Sequence, residues 1–170
     1  TFTKPTNILS GGSLAGGIGG ATVPTEGQRQ QAYDNFNDAD TQKINLLIAG
    51  PADVVAAGTA TTHGVYITDL VEKRKDCVGF VSPYRAATVG VATSSATAAR
   101  AINNVKTAFD LNPSSSYMVY DSTYKYMYDK YNDVYRHVPM NGDTAGLCAH
   151  TDGVADPWYS PAGYNRGNVR

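Results

Sequence analysis

Two stretches decide the fold: Ile44-Asn45-Leu46-Leu47-Ile48-Ala49-Gly50-Pro51 and Cys77-Val78-Gly79-Phe80-Val81-Ser82-Pro83. Each is a short, nearly continuous apolar run closed by a chain breaker. Such runs suit strands covered on both faces, as in a parallel sheet. Between them, within residues 59–75, Ile67, Leu70, Val71 and Arg74 recur at helical spacing, and Lys73-Arg74-Lys75 sets positive charge at that helix's C-terminal end. A strand–helix–strand unit of this kind should cross over right-handed.

Working outward, the next helix is predicted from a cap at Ser94 or Ser95 and a stripe of Ala98, Ile102, Val105 and Phe109, with Arg100, Asn103, Asn104 and Lys106 off the stripe. Asn112-Pro113 stops it. Burying Ile102 and Phe109 should contribute about 1.5–3 kcal/mol each. Tyr117-Met118-Val119-Tyr120 reads as a third strand. Tyr124, Tyr126 and Tyr128 then alternate with Lys125, Met127 and Asp129, the period of a strand, and Asn132-Asp133 bends the chain into Val134-Tyr135 before Pro139. A short helix of small residues is expected over 141–152, through Ala145, Leu147, Cys148 and Ala149.

The order βαβαβ with a later hairpin predicts an α/β layered domain, a mainly parallel sheet flanked by helices plus a β-hairpin. Residues 28–155 are assigned to this core, with Tyr33 and Phe36 pinning a short helix or turn within 28–41. Residues 1–27 read as a connector, because six of the ten residues from Gly11 to Gly20 are glycine and such a stretch has too much backbone entropy to lose. Residues 156–170, rich in Pro, Gly and Asn, should be irregular or extended.

At 170 residues the chain suffices for one domain or two small ones. Fourteen Lys and Arg against fifteen Asp and Glu leave a net charge of −1, with no basic footprint for nucleic acid. No apolar run approaches the ~20 residues of a membrane-spanning helix. Cys77 and Cys148 form no CxxC pair, and are read as two buried free thiols of an intracellular protein in preference to a disulfide. Thr1-Phe2-Thr3-Lys4-Pro5 has neither an initiator Met nor a signal peptide, and Arg170 is where a trypsin-like protease would stop. A fragment of something longer is expected.

Motifs for chemistry run out quickly. A P-loop needs a Gly-Lys pair, which the chain lacks, and the glycine stretch has neither the preceding strand nor the following helix of a dinucleotide fingerprint. Gly11-Gly12-Ser13-Leu14-Ala15 misses the last glycine of a nucleophile elbow. Of the three histidines, His63 stands six residues before Asp69 on a predicted helix, which points the two side chains apart. His137 follows Arg136 and His150 ends a short helix; neither suggests a triad. His150-Thr151-Asp152, with Asp143 and Asp156 nearby, offers ligand atoms without the spacing of a zinc or calcium site, and reads as capping. No catalytic residue, cofactor-binding residue or metal ligand is assigned. Seven of the twelve tyrosines fall between Tyr117 and Tyr135. Asp121, Asp129 and Asp133 cancel Lys125, Lys130 and Arg136, so a core face plus a subunit-contact face is favoured over a ligand groove or base stacking.

The region after Val138 is more specific. Val138-Pro139, Asn141-Gly142-Asp143 and Ala145-Gly146-Leu147-Cys148-Ala149-His150-Thr151-Asp152 lead into Asp156-Pro157-Trp158-Tyr159-Ser160-Pro161-Ala162-Gly163-Tyr164-Asn165-Arg166-Gly167. This resembles the tail sheath proteins of contractile-tailed bacteriophages. Gly11-Gly12-Ser13 resembles that family's double-glycine element, although Ser13-Leu14-Ala15 replaces its Gly-Asp-Gly. Leu46-Leu47-Ile48-Ala49-Gly50-Pro51 resembles its apolar strand ending in proline, and Arg74-Lys75-Asp76-Cys77-Val78 its entry to the next strand. The resemblance implies structural roles for Gly11, Gly12, Pro51, Asp76, Pro139, Gly142, Gly146, Asp152, Trp158, Pro161, Gly163, Asn165, Arg166 and Gly167. It also implies a subtilisin-like topology without a subtilisin triad, and a virion protein assembled in the host cytoplasm. Hexameric rings would stack around a tail tube above a baseplate and contract to drive the tube through the host envelope. The family's N- and C-terminal parts, which link neighbours, are missing, so the fragment is expected to be monomeric. It would take no cofactor, nucleic acid or membrane. Trp158, between two prolines, is expected to anchor its segment to the domain. A small α/β hydrolase or nucleotide-binding domain is the alternative.

Overall fold

The structure, a computed structural model, describes residues 24–54, 61–91, 95–164 and 166–167, with nothing said of the side chains of 95–98. Gly11 and Gly12, the double-glycine element, therefore lie outside the described residues, as do Ser94 and Asn165.

Helix α1 (Glu26–Tyr33) begins two residues inside the stretch read as a connector, because Thr25 and Gln28 close a reciprocal capping box around its first turn. A 3₁₀ turn (Asp34–Phe36) follows, and Tyr33 and Phe36 both pack against the core, their rings 6.3 Å apart. Strands β1 (Leu46–Pro51), β2 (Val78–Ser82) and β3 (Met118–Tyr120) form one parallel sheet in that order. Helix α2 (Thr62–Arg74) connects β1 to β2; α3 (Arg85–Thr88) and α4 (Ser95–Phe109) lie between β2 and β3. Strands β4 (Tyr124–Asp129) and β5 (Val134–Pro139) make a separate antiparallel hairpin, and α5 (Asn141–Val154) returns to the sheet.

The sheet sits between two helices. Leu47, Gly79 and Met118 are register partners and share the face under α2, where Ile67 and Val71 are fully buried. Gly79 permits that approach: a Cβ there would lie 2.8 Å from Met118 Sδ and 3.1 Å from Val71 Cγ1. Ile48, Phe80 and Val119 face the other way, where α5 covers β1 and β2 with buried Ala145 and Asn141. The Asn141 amide donates to Ser82 Oγ, and the Ser82 hydroxyl donates to Asp121. Asp121 is raised above the usual carboxylate range by burial.

Arg74, predicted on the sheet-facing stripe, is buried at the end of α2. Its guanidinium donates to the carbonyls of Phe36 and Gln42 and makes a bidentate pair with Asp76. Lys75 between them is left-handed (φ 58°) and closes the helix through its amide to Val71 O. The Arg-x-Asp entry to β2 is thus a charge-assisted clamp on the loop after α1.

Three expectations need correction here. Strand β1 is less enclosed than expected: it is the outer strand of the sheet among the described residues, and on its α5 face Ile48 stays 50% exposed. Helix α4 does not turn Ile102 inward. Ile102 is 68% exposed, while Ala101, Asn104, Val105, Ala108 and Phe109 are buried or half-buried: Val105 and Phe109 hold the expected stripe, and Ala101 and Asn104 stand in for Ile102. Asn104 donates to Ala87 O and Phe109 packs on Tyr120 at 4.6 Å, and these inward partners set the helix's rotation. Both cysteines are free, but only Cys77 is buried and Cys148 is half-buried; burial raises both thiols above their ordinary value. Among the described residues, no helix is long and apolar enough to cross a membrane.

Candidate functional site

The hairpin carries four exposed tyrosines, Tyr126, Tyr128, Tyr131 and Tyr135. Its base is fixed. The Tyr124 hydroxyl donates to Pro83 O at 2.8 Å, burial pushing that phenol up to about 12, and Lys125 bridges to Asp143 of α5 at 2.6 Å. Beyond this first rung, among the described residues, both faces carry exposed side chains.

The register sets Tyr126 opposite His137 and Tyr128 opposite Tyr135, so the rings form a ladder on one face. Tyr126 stacks on Tyr135 at 5.2 Å and lies 4.6 Å from His137, and Tyr128 meets Tyr135 at 5.2 Å. Tyr126 and Tyr135 are 62% and 61% exposed. The opposite face carries Met127, Val134 and Arg136, and Met127 and Arg136 frame a cavity of about 350 Å³ with Tyr131 and Val138. One face of the tyrosine-rich strand was expected to be core; instead, among the described residues, β4 pairs with β5 alone and side chains on both faces, Tyr126 and Tyr135 on one and Met127 and Val134 on the other, are exposed.

Charge on the hairpin is spent internally. Asp129 accepts from Asn132 Nδ2, the amides of Tyr131 and Asn132, and Arg136 Nε, and these bonds, led by that of the Asn132 side chain, hold its carboxyl below the usual range. The Tyr128 hydroxyl donates to Asp133, itself left-handed at φ 55°, and Lys130 lies 5.1 Å from the Tyr131 ring centroid. The result is a stiffened, aromatic, nearly neutral projection. Such a surface suits contact with another protein better than with a polyanion.

The three histidines stand apart from one another among the described residues. His63, not paired with Asp69, is fully buried and meets Glu26. His137 is part of the ring ladder, and His150 is exposed on α5. Among the described residues, no three His, Cys, Asp or Glu side chains converge as a metal site would require.

Comparison with known proteins gives this surface a context. The chain is 39% identical over 166 residues to the tail sheath protein of Enterobacteria phage T4, a match covering 92% of this chain and 24% of that protein. It is 43% identical over 148 residues to the tail sheath protein of Vibrio phage KVP40 (81% and 22%), and 40% over 102 residues to that of Salmonella phage ViI (59% and 15%). The chain is a relative of the phage tail sheath proteins. It spans a quarter or less of the length of these curated relatives. No protein-family model matches it.

The residues singled out by the tail sheath resemblance fall into separate parts of the molecule. Pro51 ends β1, and its carbonyl accepts from Arg29 at 2.8 Å. Asp76 is the Arg74 partner described above, and Pro139 ends β5 opposite Tyr124. Gly142, Gly146 and Asp152 lie on α5; among the described residues a Cβ at either glycine would meet nothing within 4 Å, so packing against them does not demand glycine there. Pro161, Gly163, Arg166 and Gly167 build a turn closed on itself: Arg166 donates to Ser160 O and lies over the Tyr159 ring at 5.6 Å, and the Gly167 amide donates to Gly163 O. Trp158 does not anchor this turn to the body. Trp158 is 79% exposed, and the hydrogen bonds around it close within the segment. Sequence reasoning had no signal for the Glu26–His63 contact, whose members stand 37 positions apart.

Proposed function

We propose that this chain is part of a structural subunit of a contractile phage tail sheath. In that reading six copies form a ring, rings stack around the tail tube above the baseplate, and the sleeve shortens to drive the tube through the host envelope for genome ejection. The subunit belongs to the virion and is assembled in the host cytoplasm. It performs no reaction and takes no cofactor, nucleic acid or membrane. Its topology is subtilisin-like in shape alone: a connector, an α/β core and a Pro/Gly/Asn-rich tail segment.

The observation that carries this reading is the kinship to tail sheath proteins over 92% of the chain. The hairpin supports it, since a subunit pushed against its neighbours needs contacts that break and re-form without stranding charge, and here the charges are matched within the chain. The family-motif glycines and prolines act as shaping residues, with open α5 glycines as places where a neighbour's backbone comes close. Electron microscopy of the whole protein that contains this segment tests the proposal. Tubes with sixfold rings are expected; a discrete particle that turns over an ester, ATP or GTP would overturn it.

A further inference from the structure

Helix α1 buries none of its own residues, yet it lies over the outer edge of β1, which among the described residues pairs with β2 alone. Side-chain hydrogen bonds attach it there. The Tyr33 hydroxyl donates to Ile48 O, Arg29 donates to the carbonyls of Ala49 and Pro51, and the Tyr66 hydroxyl of α2 donates to Gln30 O and Asp34. Beneath the helix lies a cavity of about 620 Å³, lined by Phe36, Ile44, Leu46 and Ile48 among others. Docking by polar ties over incompletely packed space leaves the helix dependent on each tie.

His63 is the innermost tie. Its ring is fully buried, with Nδ1 2.6 Å from Glu26 Oε1 and Nε2 2.8 Å from Ala49 O. A peptide carbonyl only accepts, so Nε2 carries hydrogen. The other Glu26 oxygen takes Arg29 at 2.9 Å, which favours the ionised carboxylate, and an ionised carboxylate also only accepts. Both ring nitrogens are therefore donors. The surrounding charges agree. From α1, Glu26 and Arg29 face the ring, with Tyr33 5.7 Å away; from the segment after β1, the Asp53 carboxylate accepts the amides of Thr62 and His63. Two carboxylates and one guanidinium are balanced only when the imidazole is positive.

We propose that His63 is a buried imidazolium that latches α1 over the edge of β1, making the cover of that edge proton-dependent. This goes beyond the sheath reading and stands without it. When the proton leaves Nδ1, a lone pair faces the Glu26 carboxylate, the tie turns repulsive and α1 loosens. The docked state holds one proton more than an undocked state with neutral imidazole, so docking weakens as pH rises. Loosening exposes the strand edge, a template for pairing with another chain.

Ring ¹⁵N correlation spectra of the full chain near neutral pH provide the first test. Two protonated nitrogens are expected for His63; one bare nitrogen would overturn the proposal without any variant being made. Protection factors of the Gln30–Tyr33 amides from about pH 6 to about pH 8 provide the second. Protection should fall with rising pH by up to about tenfold per unit, the limit for one linked proton. In Glu26→Gln the amide can donate to a neutral ring, so the pH dependence should vanish. A flat wild-type profile, or an unchanged slope in E26Q, would also overturn it.

Discussion

The body and the hairpin use the same kinds of residue to opposite ends. In the α/β body, aromatic and aliphatic side chains are enclosed between α2, the sheet and α5, and the polar groups there are bound one by one: Arg74 by two carbonyls and Asp76, Asn141 by Ser82. In the hairpin the rings stack on each other and stay in water, while the charges close on themselves at the tip. The body is organised for its own stability. The hairpin is organised to stay rigid while offering surface. The difference teaches that an alternating aromatic strand need not have a core side when its neighbour supplies cross-strand stacking.

The comparison can be broken most forcefully from the body. Phe80→Ala removes a fully buried ring under α5 and should cost about 3–5 kcal/mol in urea unfolding. Hairpin resonances in the folded fraction should not move; if they shift with the core, the two regions are one cooperative unit. Gly79→Ala comes next, because the added methyl meets Met118 and Val71, and overpacking of this kind costs about 1–3 kcal/mol.

Smaller effects sharpen the contrast. Tyr126→Ser removes a ring from the ladder and should lower stability by only about 0.2–1 kcal/mol. In the whole protein it should reduce tube assembly far more than it reduces melting temperature; equal losses would make the hairpin merely structural. Gly146→Ala should stabilise this chain by roughly 0.5–1 kcal/mol, since the methyl has free space on an α-helix. If α5 is approached by a neighbouring subunit, the same change should impair assembly while raising the melting temperature. The smallest effect is acidic. Asp129 is held below its ordinary value, so its contribution to the hairpin is present above about pH 3.9 and is lost as pH falls through the lower folded value. Chemical shifts of Asn132 and Arg136 should report the tip loosening in that range, with the body unaffected.

Much of the fold was legible because its signals are local. The two apolar runs, the Ile67–Leu70–Val71–Arg74 stripe, the third strand and the hairpin turn at Asn132-Asp133 all follow from spacing and breakers, and each is found where expected. The misreadings share a cause. Ile102 and Trp158 are large apolar residues whose burial depends on whether a partner surface exists, and among the described residues both are left exposed. Helix α4 takes its rotation from Asn104 and Phe109, whose partners Ala87 and Tyr120 belong to other elements. The candidate surface was half legible: the tyrosine alternation marked the strand, but not the absence of a cover.

The sequence by itself determined the order of elements, the parallel sheet with its α2 crossover, and kinship to the tail sheath proteins, because periodicity, chain breakers and motif strings are written in neighbouring residues. The tertiary structure alone decided which faces stayed open and which distant polar groups met. Glu26 reaches His63 across 37 positions, and Asn112 reaches Thr61 across 51. Such pairings arise only once the chain has been folded back on itself, when burial makes every unpaired donor costly and the nearest acceptor, however remote in sequence, becomes its partner.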